Sequence, residues 1–367
     1  MYNRYAPAAA VSPAPASSTT GDNSRDVAIP APPEDSISAL HWSPASEHLA
    51  ASSWAGDVRV WGVDGQGNAN PVAQFRSDGP VLDCRWNKAG NAIASAGSDG
   101  KALLFDVTTQ QTRQVGAHDA PIRHVRWFEE NNANILVTGS WDKTVRYWDL
   151  RQPTPIGHIQ CAERVYCMDL VGSALVVGTA NRTMHIVHMG NPTQIYRTFE
   201  SSLKWQLRTL AIYPNQKLFA IGSVEGRVAI QAVDEANATS DFTFRCHRDQ
   251  STTPPKVYAI NSIVTHPVYG TVGTAGSDGA FHIWDTEARV RLKLFQQAGG
   301  GRPITDAAFS RQGNIMAYAV SYDWCKGHEH APAPGTPNAN VIKLHAIVEE
   351  EVKPKPPKKP TGVVGRR

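Results

Sequence analysis

One pattern, repeated along most of the chain, restricts what it can fold into: a strand of small residues, a tight polar turn, then an alternating apolar strand. Clear copies are SWAGDVRVW (53–61), GSDGKALLF (97–105), GSWDKTVRYWD (139–149) and GSDGAFHIWD (276–285). Weaker ones are GTANRTMHIV (178–187) and GSVEGRVAIQ (222–231). Each reads as a β-hairpin. The turn residues Ala55, Asp99, Asp142, Asn181, Glu225, Asp278 and Asp323 recur roughly every 40–45 residues, with one longer step between Glu225 and Asp278. A further strand precedes the hairpins, as in ISALHWSP (37–44), PVLDCRW (80–86), PIRHVRW (121–127), LRTLAIYP (207–214) and INSIVTHP (260–267).

Four strands per unit at this period is the signature of an all-β, WD40-type β-propeller, and the turns give it seven blades. No blade buries both of its faces alone, so the blades are expected to close into a ring. The last unit ends at NVIKLHAI (340–347) without an outer strand of its own. RDVAIP (25–30) is the only short apolar stretch upstream of the first unit. The expected closure pairs residues 27–29 with residues 341–345, which removes an open edge. This places the propeller over residues 25–348.

The flanks differ in composition. Residues 1–24 are rich in Ala, Pro, Ser and Thr and hold few large apolar groups. They bury too little surface to offset ordering entropy and are expected to be disordered. Residues 349–367 form a basic Pro/Lys-rich tail, expected to be extended and solvated. From residue 352 onward it carries Lys353, Lys355, Lys358, Lys359, Arg366 and Arg367 and no acid. Without those six charges the chain's net charge of +3 becomes negative. Contact with nucleic acid therefore has to come from a local patch or from this tail.

Five scattered cysteines with no CxxC spacing argue against a disulfide framework or a zinc site, and they fit a reducing compartment. No apolar run approaches the ~18 residues that span a bilayer, and no apolar segment follows Arg4 as in a secretory signal. A soluble, intracellular protein without a membrane span is expected. Within one unit, His118, Thr138 or Ser140, Asp142 and Trp148 stand in the order of a hydrogen-bonded set. A catalytic triad uses the same residue types. Because the set falls on repeat positions, it reads as a polar staple inside a blade. Neither a metal-ligand spacing, a phosphate loop nor a nucleophile motif points to an enzyme, a cofactor or a small-molecule substrate.

Several stretches go beyond the general repeat: DSISALHWSP (35–44), HDAPIRHVRW (118–127), FTFRCHR (242–248), VYAINSIVTHPVYGTVGTAGSDG (257–279) and NIMAYAVSYDWCKGHE (314–329). With GSVEGRVAI (222–230), they resemble the RNA-export, or Gle-two, propeller family over roughly residues 26–347. The resemblance implies a non-enzymatic scaffold of mRNA export at the nuclear pore and nuclear envelope, partly cytoplasmic. It implies docking to an acidic hairpin segment of a Gly-Leu-Phe-Gly-repeat nucleoporin, and contact with mRNA or a ribonucleoprotein.

Carried over residue by residue, the resemblance places partner contacts at Arg227, Phe244, Trp284, Arg289 and Arg291, converging on one face. Thr286 departs from the family, where many relatives carry Lys. The residues alone add that Arg289, Arg291 and Lys293 alternate in EARVRLK, so a regular strand puts all three on one side. A solvated edge strand blunted by charge is the competing reading. Two other functions share features of the sequence. The sister propeller of the spindle checkpoint, which binds kinetochore kinases, has a similar fold. A cullin ubiquitin-ligase receptor would use the WDxR pattern met at Trp148-Asp149-Leu150-Arg151.

Overall fold

The repeat units each form an antiparallel sheet, with the second strand built from small or β-branched residues that pack on both sides. The computed structural model describes residues 19–130, 133–296, 298–333 and 335–355. Seven sheets occupy 37–76, 81–117, 122–160, 165–200, 207–245, 260–295 and 304–346, here blades 1 to 7. The chain meanders outward through each blade, so every innermost strand is the first of its blade. Residues of all seven innermost strands line one central cavity of about 530 Å³.

The apolar core is divided in a way that explains the ring. Seven buried clusters occur among the described residues, and each joins two neighbouring blades. Val145 and Tyr147 of blade 3 pack with Met168 and Leu175 of blade 4, for example. Leu40 and Trp61 of blade 1 pack with Ala317 and Ile342 of blade 7. A blade's hydrophobic surface is thus satisfied only by its neighbours, and the last interface exists only if the ring is closed. The tight turns between second and third strands need a left-handed residue, supplied by Gly100 (φ +79°), for example, or by Lys143 (φ +69°). At Gly100 a Cβ would lie 2.7 Å from the His118 carbonyl oxygen, so glycine is required there sterically as well.

Both chain ends meet at blade 7. The strand Val27–Ala28 pairs antiparallel with Val341–Ala346, Val27 opposite Leu344 and Ala28 opposite Lys343, and supplies the missing outer strand. The Ile29 N–H donates to the Ile342 carbonyl at 2.9 Å. His345 binds Asp26 through Nδ1 at 2.6 Å and Glu351 through Nε2 at 3.3 Å. Tyr318 donates its hydroxyl to the same Asp26 at 2.5 Å. Burial alone would lower the imidazole's proton affinity, but the two carboxylates push His345 up to about 9.

Two expectations for the flanks need correction. Thr19–Thr20 adds a parallel fifth strand to blade 6, and Gly21 N–H donates to the Leu294 carbonyl at 2.8 Å. Residues 19–24 are therefore structured, because the outer edge of blade 6 offers unpaired backbone groups. Residues 1–18 lie outside the described residues. At the other end the packed chain runs past residue 348. Glu349–Val352 forms one helical turn, Val352 is 1% exposed, and Lys355 N–H donates to Asp285. The expected solvated tail is thus packed as far as residue 355, and residues 356–367 lie outside the described residues.

Candidate functional site

The hydrogen-bonded set proposed for blade 3 is formed. His118 holds Asp142 through Nδ1 at 2.8 Å and Thr138 through Nε2 at 2.7 Å, and Trp148 Nε1–H donates to Thr138 at 2.8 Å. Thr138 is the strand member. Ser140 instead donates to the Ala120 and Pro121 carbonyls and accepts from Asp142 N–H. Burial would raise Asp142, yet hydrogen bonds from His118 and Thr144 hold it well below the usual carboxylate range. Thr138 and Ser140 are fully buried, so neither hydroxyl is presented to a substrate.

A second set was not read from the sequence. In blade 6, His247 binds Asp278 at 2.8 Å and Thr274 at 3.0 Å, and Trp284 Nε1–H donates to Thr274 at 3.0 Å. The spacing hid it. His247 precedes Asp278 by 31 residues, against 24 between His118 and Asp142, because a hairpin (Arg248–Asp249 with Lys256–Val257) is inserted between them. His282 stacks on His247 with an interplanar angle of 11°. These two rings and Asp278 offer ligand atoms within 4.8 Å of one another. Stacked rings direct their lone pairs side by side and not at a common point. His247 also has both nitrogens engaged already, so the cluster is a staple and not a metal centre.

The five expected partner residues do not converge on one face. Turns joining second to third strands lie on one face of the ring, and turns joining third to outer strands lie on the other. Arg227 opens the third strand of blade 5, directly after the Glu225–Gly226 turn, so it belongs to the first face. Arg289 sits at φ +55° in the turn before the outer strand of blade 6, on the second face, with its guanidinium 4.5 Å from the Phe242 ring centroid. Phe244 and Trp284 are each 6% exposed and pack together at 4.7 Å between blades 5 and 6. Arg291 lies over Trp284 at 5.9 Å. The aromatics expected at a contact surface are therefore core residues.

Nor do Arg289, Arg291 and Lys293 share one side. The ladder shifts between Ile283–Lys293 and Trp284–Arg291, leaving Leu292 as an extra residue. A bulge of this kind resets the alternation. Leu292 turns inward and is buried, and Lys293 faces with Ile283 while Arg291 faces with Trp284. Thr286 is buried and hydrogen-bonded to the Tyr213 hydroxyl at 2.7 Å, so this position adds nothing to a surface patch. Arg151, of the WDLR stretch, is 81% exposed in its side chain and pairs with Asp149 at 2.5 Å.

What does converge is a different group around Arg227. Arg245 stands directly opposite it in the outer strand, and Arg248 donates to the Glu225 carbonyl at 2.7 Å. Burial first, then repulsion from Arg245 and Arg227, lowers the proton affinity of Arg248. The Glu225 carboxylate lies 3.3 Å from Arg227 Nε. Beside it Lys204 N–H donates to Glu225, and the neighbouring Trp205 is 62% exposed. Three arginines at the end of blade 5 that carries the Glu225–Gly226 turn, next to an exposed indole, form a surface suited to an acidic, partly apolar segment.

Known proteins match both the fold and the chain as a whole. The family model described as WD domain, G-beta repeat, matches residues 28–62, 69–106 and 109–149. A poly(A)+ RNA export protein of Schizosaccharomyces pombe is 47% identical over 345 residues, covering 93% of this chain and 96% of its own. The mRNA export factor GLE2 of Chaetomium thermophilum is 44% identical, over 92% of this chain and 95% of its own. This chain belongs to the Gle2/Rae1 family of mRNA export factors. Protein Rae1 of Drosophila melanogaster shows how far the likeness extends, with 42% identity over 83% of this chain and 90% of its own.

Proposed function

We propose that this protein is a non-enzymatic scaffold of mRNA export that docks an acidic hairpin segment of a Gly-Leu-Phe-Gly-repeat nucleoporin, and so works at the nuclear pore. The names of its relatives support the export role. The observation that carries the docking reading is the group of Arg227, Arg245 and Arg248 at the end of blade 5 that carries the Glu225–Gly226 turn, beside exposed Trp205. A propeller with no net charge attracts acidic peptides only where cations are concentrated locally. Phe244, Trp284 and Arg291 then act from beneath, fixing the blade 5–blade 6 seam on which the cluster stands.

Contact with RNA is proposed for the opposite face and the basic tail. There Arg289 stands over Phe242 at the rim of a cleft of about 530 Å³.

Calorimetric titration of the hairpin segment into the wild-type protein and an Arg227→Glu variant tests the docking. The charge reversal is expected to cost about 2 kcal/mol, since it replaces an attractive contact with a repulsive one. Full affinity in a folded Arg227→Glu variant removes this cluster as the docking site.

A further inference from the structure

The connection between blades 5 and 6, residues 246–259, is the longest between consecutive blades, and its extra length is a hairpin. Arg248–Asp249 pairs with Lys256–Val257, which leaves residues 250–255 as the loop. The root packs on the Glu225–Gly226 turn. Cys246 N–H donates to the Gly226 carbonyl at 3.0 Å, and Tyr258 N–H to the His247 carbonyl at 3.0 Å. The insertion therefore stands on the face that carries Arg227, with Arg248 in its own root.

Three hydroxyls lie in this loop, and two of them are engaged. Ser251 donates to Asp249 at 2.6 Å and Thr252 to the Pro254 carbonyl at 3.0 Å. The Thr253 hydroxyl makes no hydrogen bond among the described residues, and Thr253 is exposed together with Pro254, Pro255 and Lys256. Pro254 has no N–H, so an enzyme that binds this stretch has no backbone donor to satisfy directly after the hydroxyl. Kinases that act on Thr-Pro pairs select for that feature, and many also read a cation three residues on, here Lys256. Three other such pairs occur among the described residues, and each lacks something. Ser43 is buried, and the Thr336 hydroxyl is donated to the Ala333 carbonyl at 2.7 Å. Thr154 lies on the opposite face, between the third and outer strands of blade 3, with Gly157 where the loop has Lys256.

We propose that Thr253 is a phosphorylation site for a proline-directed kinase, and that the phosphate weakens docking of the acidic segment. The consequence for docking rests on the reading above, whereas the site does not. In the transfer, Thr253 Oγ1 forms a new bond to the γ-phosphorus of ATP. The bond from that phosphorus to the bridging oxygen breaks, ADP leaves, and the hydroxyl proton passes to the base of the kinase. The product carries about −1.5 to −2 charges. Thr253 is three steps along the chain from Lys256, so it stands within about 11 Å of the hairpin's ladder. That is comparable to the screening length of about 8 Å at physiological salt. An anion so placed competes with the acidic segment for the cations at the root, and repels the segment itself.

The test uses the full chain, Mg·ATP and a cyclin-dependent kinase, with intact mass and peptide mapping as the readout. Phosphate is expected at Thr253 in the native protein and absent from that peptide in Thr253→Ala. Calorimetric titration with the acidic segment should then give an affinity about fivefold lower for the phosphorylated chain, the size of a screened interaction at this range. The gap should narrow as salt rises and close after phosphatase treatment. Thr253→Ala taken through the same reaction should keep wild-type affinity. Lack of phosphate at Thr253 in the native chain overturns the proposal, as does phosphate at Thr154 or Thr336 in its stead. So does equal affinity before and after phosphorylation, or a loss of affinity in the treated Thr253→Ala chain. An acidic segment that fails to bind the unmodified chain overturns the docking reading and the regulatory half of the proposal, while phosphate mapped to Thr253 upholds the site.

Discussion

At the scale of single residues, the same side-chain types hold the blades and make up the proposed docking group. Asp142 is the clearest case of the first. It anchors His118 and Thr144, and behind them Thr138 and Trp148. Replacing it with Asn leaves the volume but removes the charge that His118 and Arg146 face. Breaking a buried, charge-assisted hydrogen bond typically costs about 1–3 kcal/mol. We expect a lower midpoint for Asp142→Asn in urea unfolding, with the hairpin affinity unchanged in calorimetry. A parallel loss of affinity would show that blade 3 shapes the docking face. The staple in blade 3 was legible because its members fall on repeat positions. Phe244 and Trp284 were legible as aromatics, but a sequence does not say which aromatic is covered. The stack of Trp284 on Phe244 and its bond to Thr274 bury them. Arg245 and Arg248, inside the FTFRCHR stretch, and Trp205 were not read as contact residues for the opposite reason, since they lie on loops and an edge strand outside the repeat pattern.

At the scale of elements, periodicity located the strands while a one-residue irregularity decided where their side chains point. The bulge at Leu292 turned an expected row of three cations into groups on different sides. Nothing in EARVRLK marks it, because a bulge reflects packing of Leu292 into the core between blades 6 and 7. The closing strand was legible from what blade 7 lacked. The groups locking it were not, since Asp26, His345 and Glu351 are far apart in sequence. Their titration gives a pH prediction. His345 is raised in the fold to about 9, above the roughly 6.5 of an unfolded imidazole. Its contribution is therefore complete below the unfolded value and is lost as pH rises through about 9. Urea midpoints should fall across that window for the wild type, and His345→Gln should flatten the fall. An identical slope in both proteins would show that the closure does not depend on the imidazolium. Deleting residues 1–31 removes the strand, Asp26 and buried Ile29 together. It should lower the thermal midpoint of the whole ring in one transition, as followed by circular dichroism.

At the scale of the whole molecule, a period near 40–45 residues was enough to give the architecture, because each of the seven cores lies between blades and no other arrangement buries them all. Which face recognises what was beyond the period, since strand direction alone separates Arg227 from Arg289. Charge is distributed on the same large scale, and it separates the two proposed contacts. The tail beyond residue 355 carries Lys358, Lys359, Arg366 and Arg367, whereas residues 25–348 have no net charge. If all four contact phosphates, each displaces counterions, and a single strand responds by about 0.7 log units of affinity per log unit of salt for each charge. Deleting residues 356–367 should then reduce the salt slope of oligouridylate binding by about 3. The thermal midpoint is expected to stay where it is, because the closing strand pair and buried Val352 lie outside the deleted segment. Hairpin affinity should be unaffected, since its cations are fixed in blade 5 and its neighbouring loop. A salt slope unchanged by the deletion would assign any RNA contact to the ring itself, with Arg289 over Phe242 as the place to look. An Arg289→Glu variant would then have to weaken oligouridylate binding while leaving the hairpin untouched, because the two residues that define the faces stand on opposite sides of the ring.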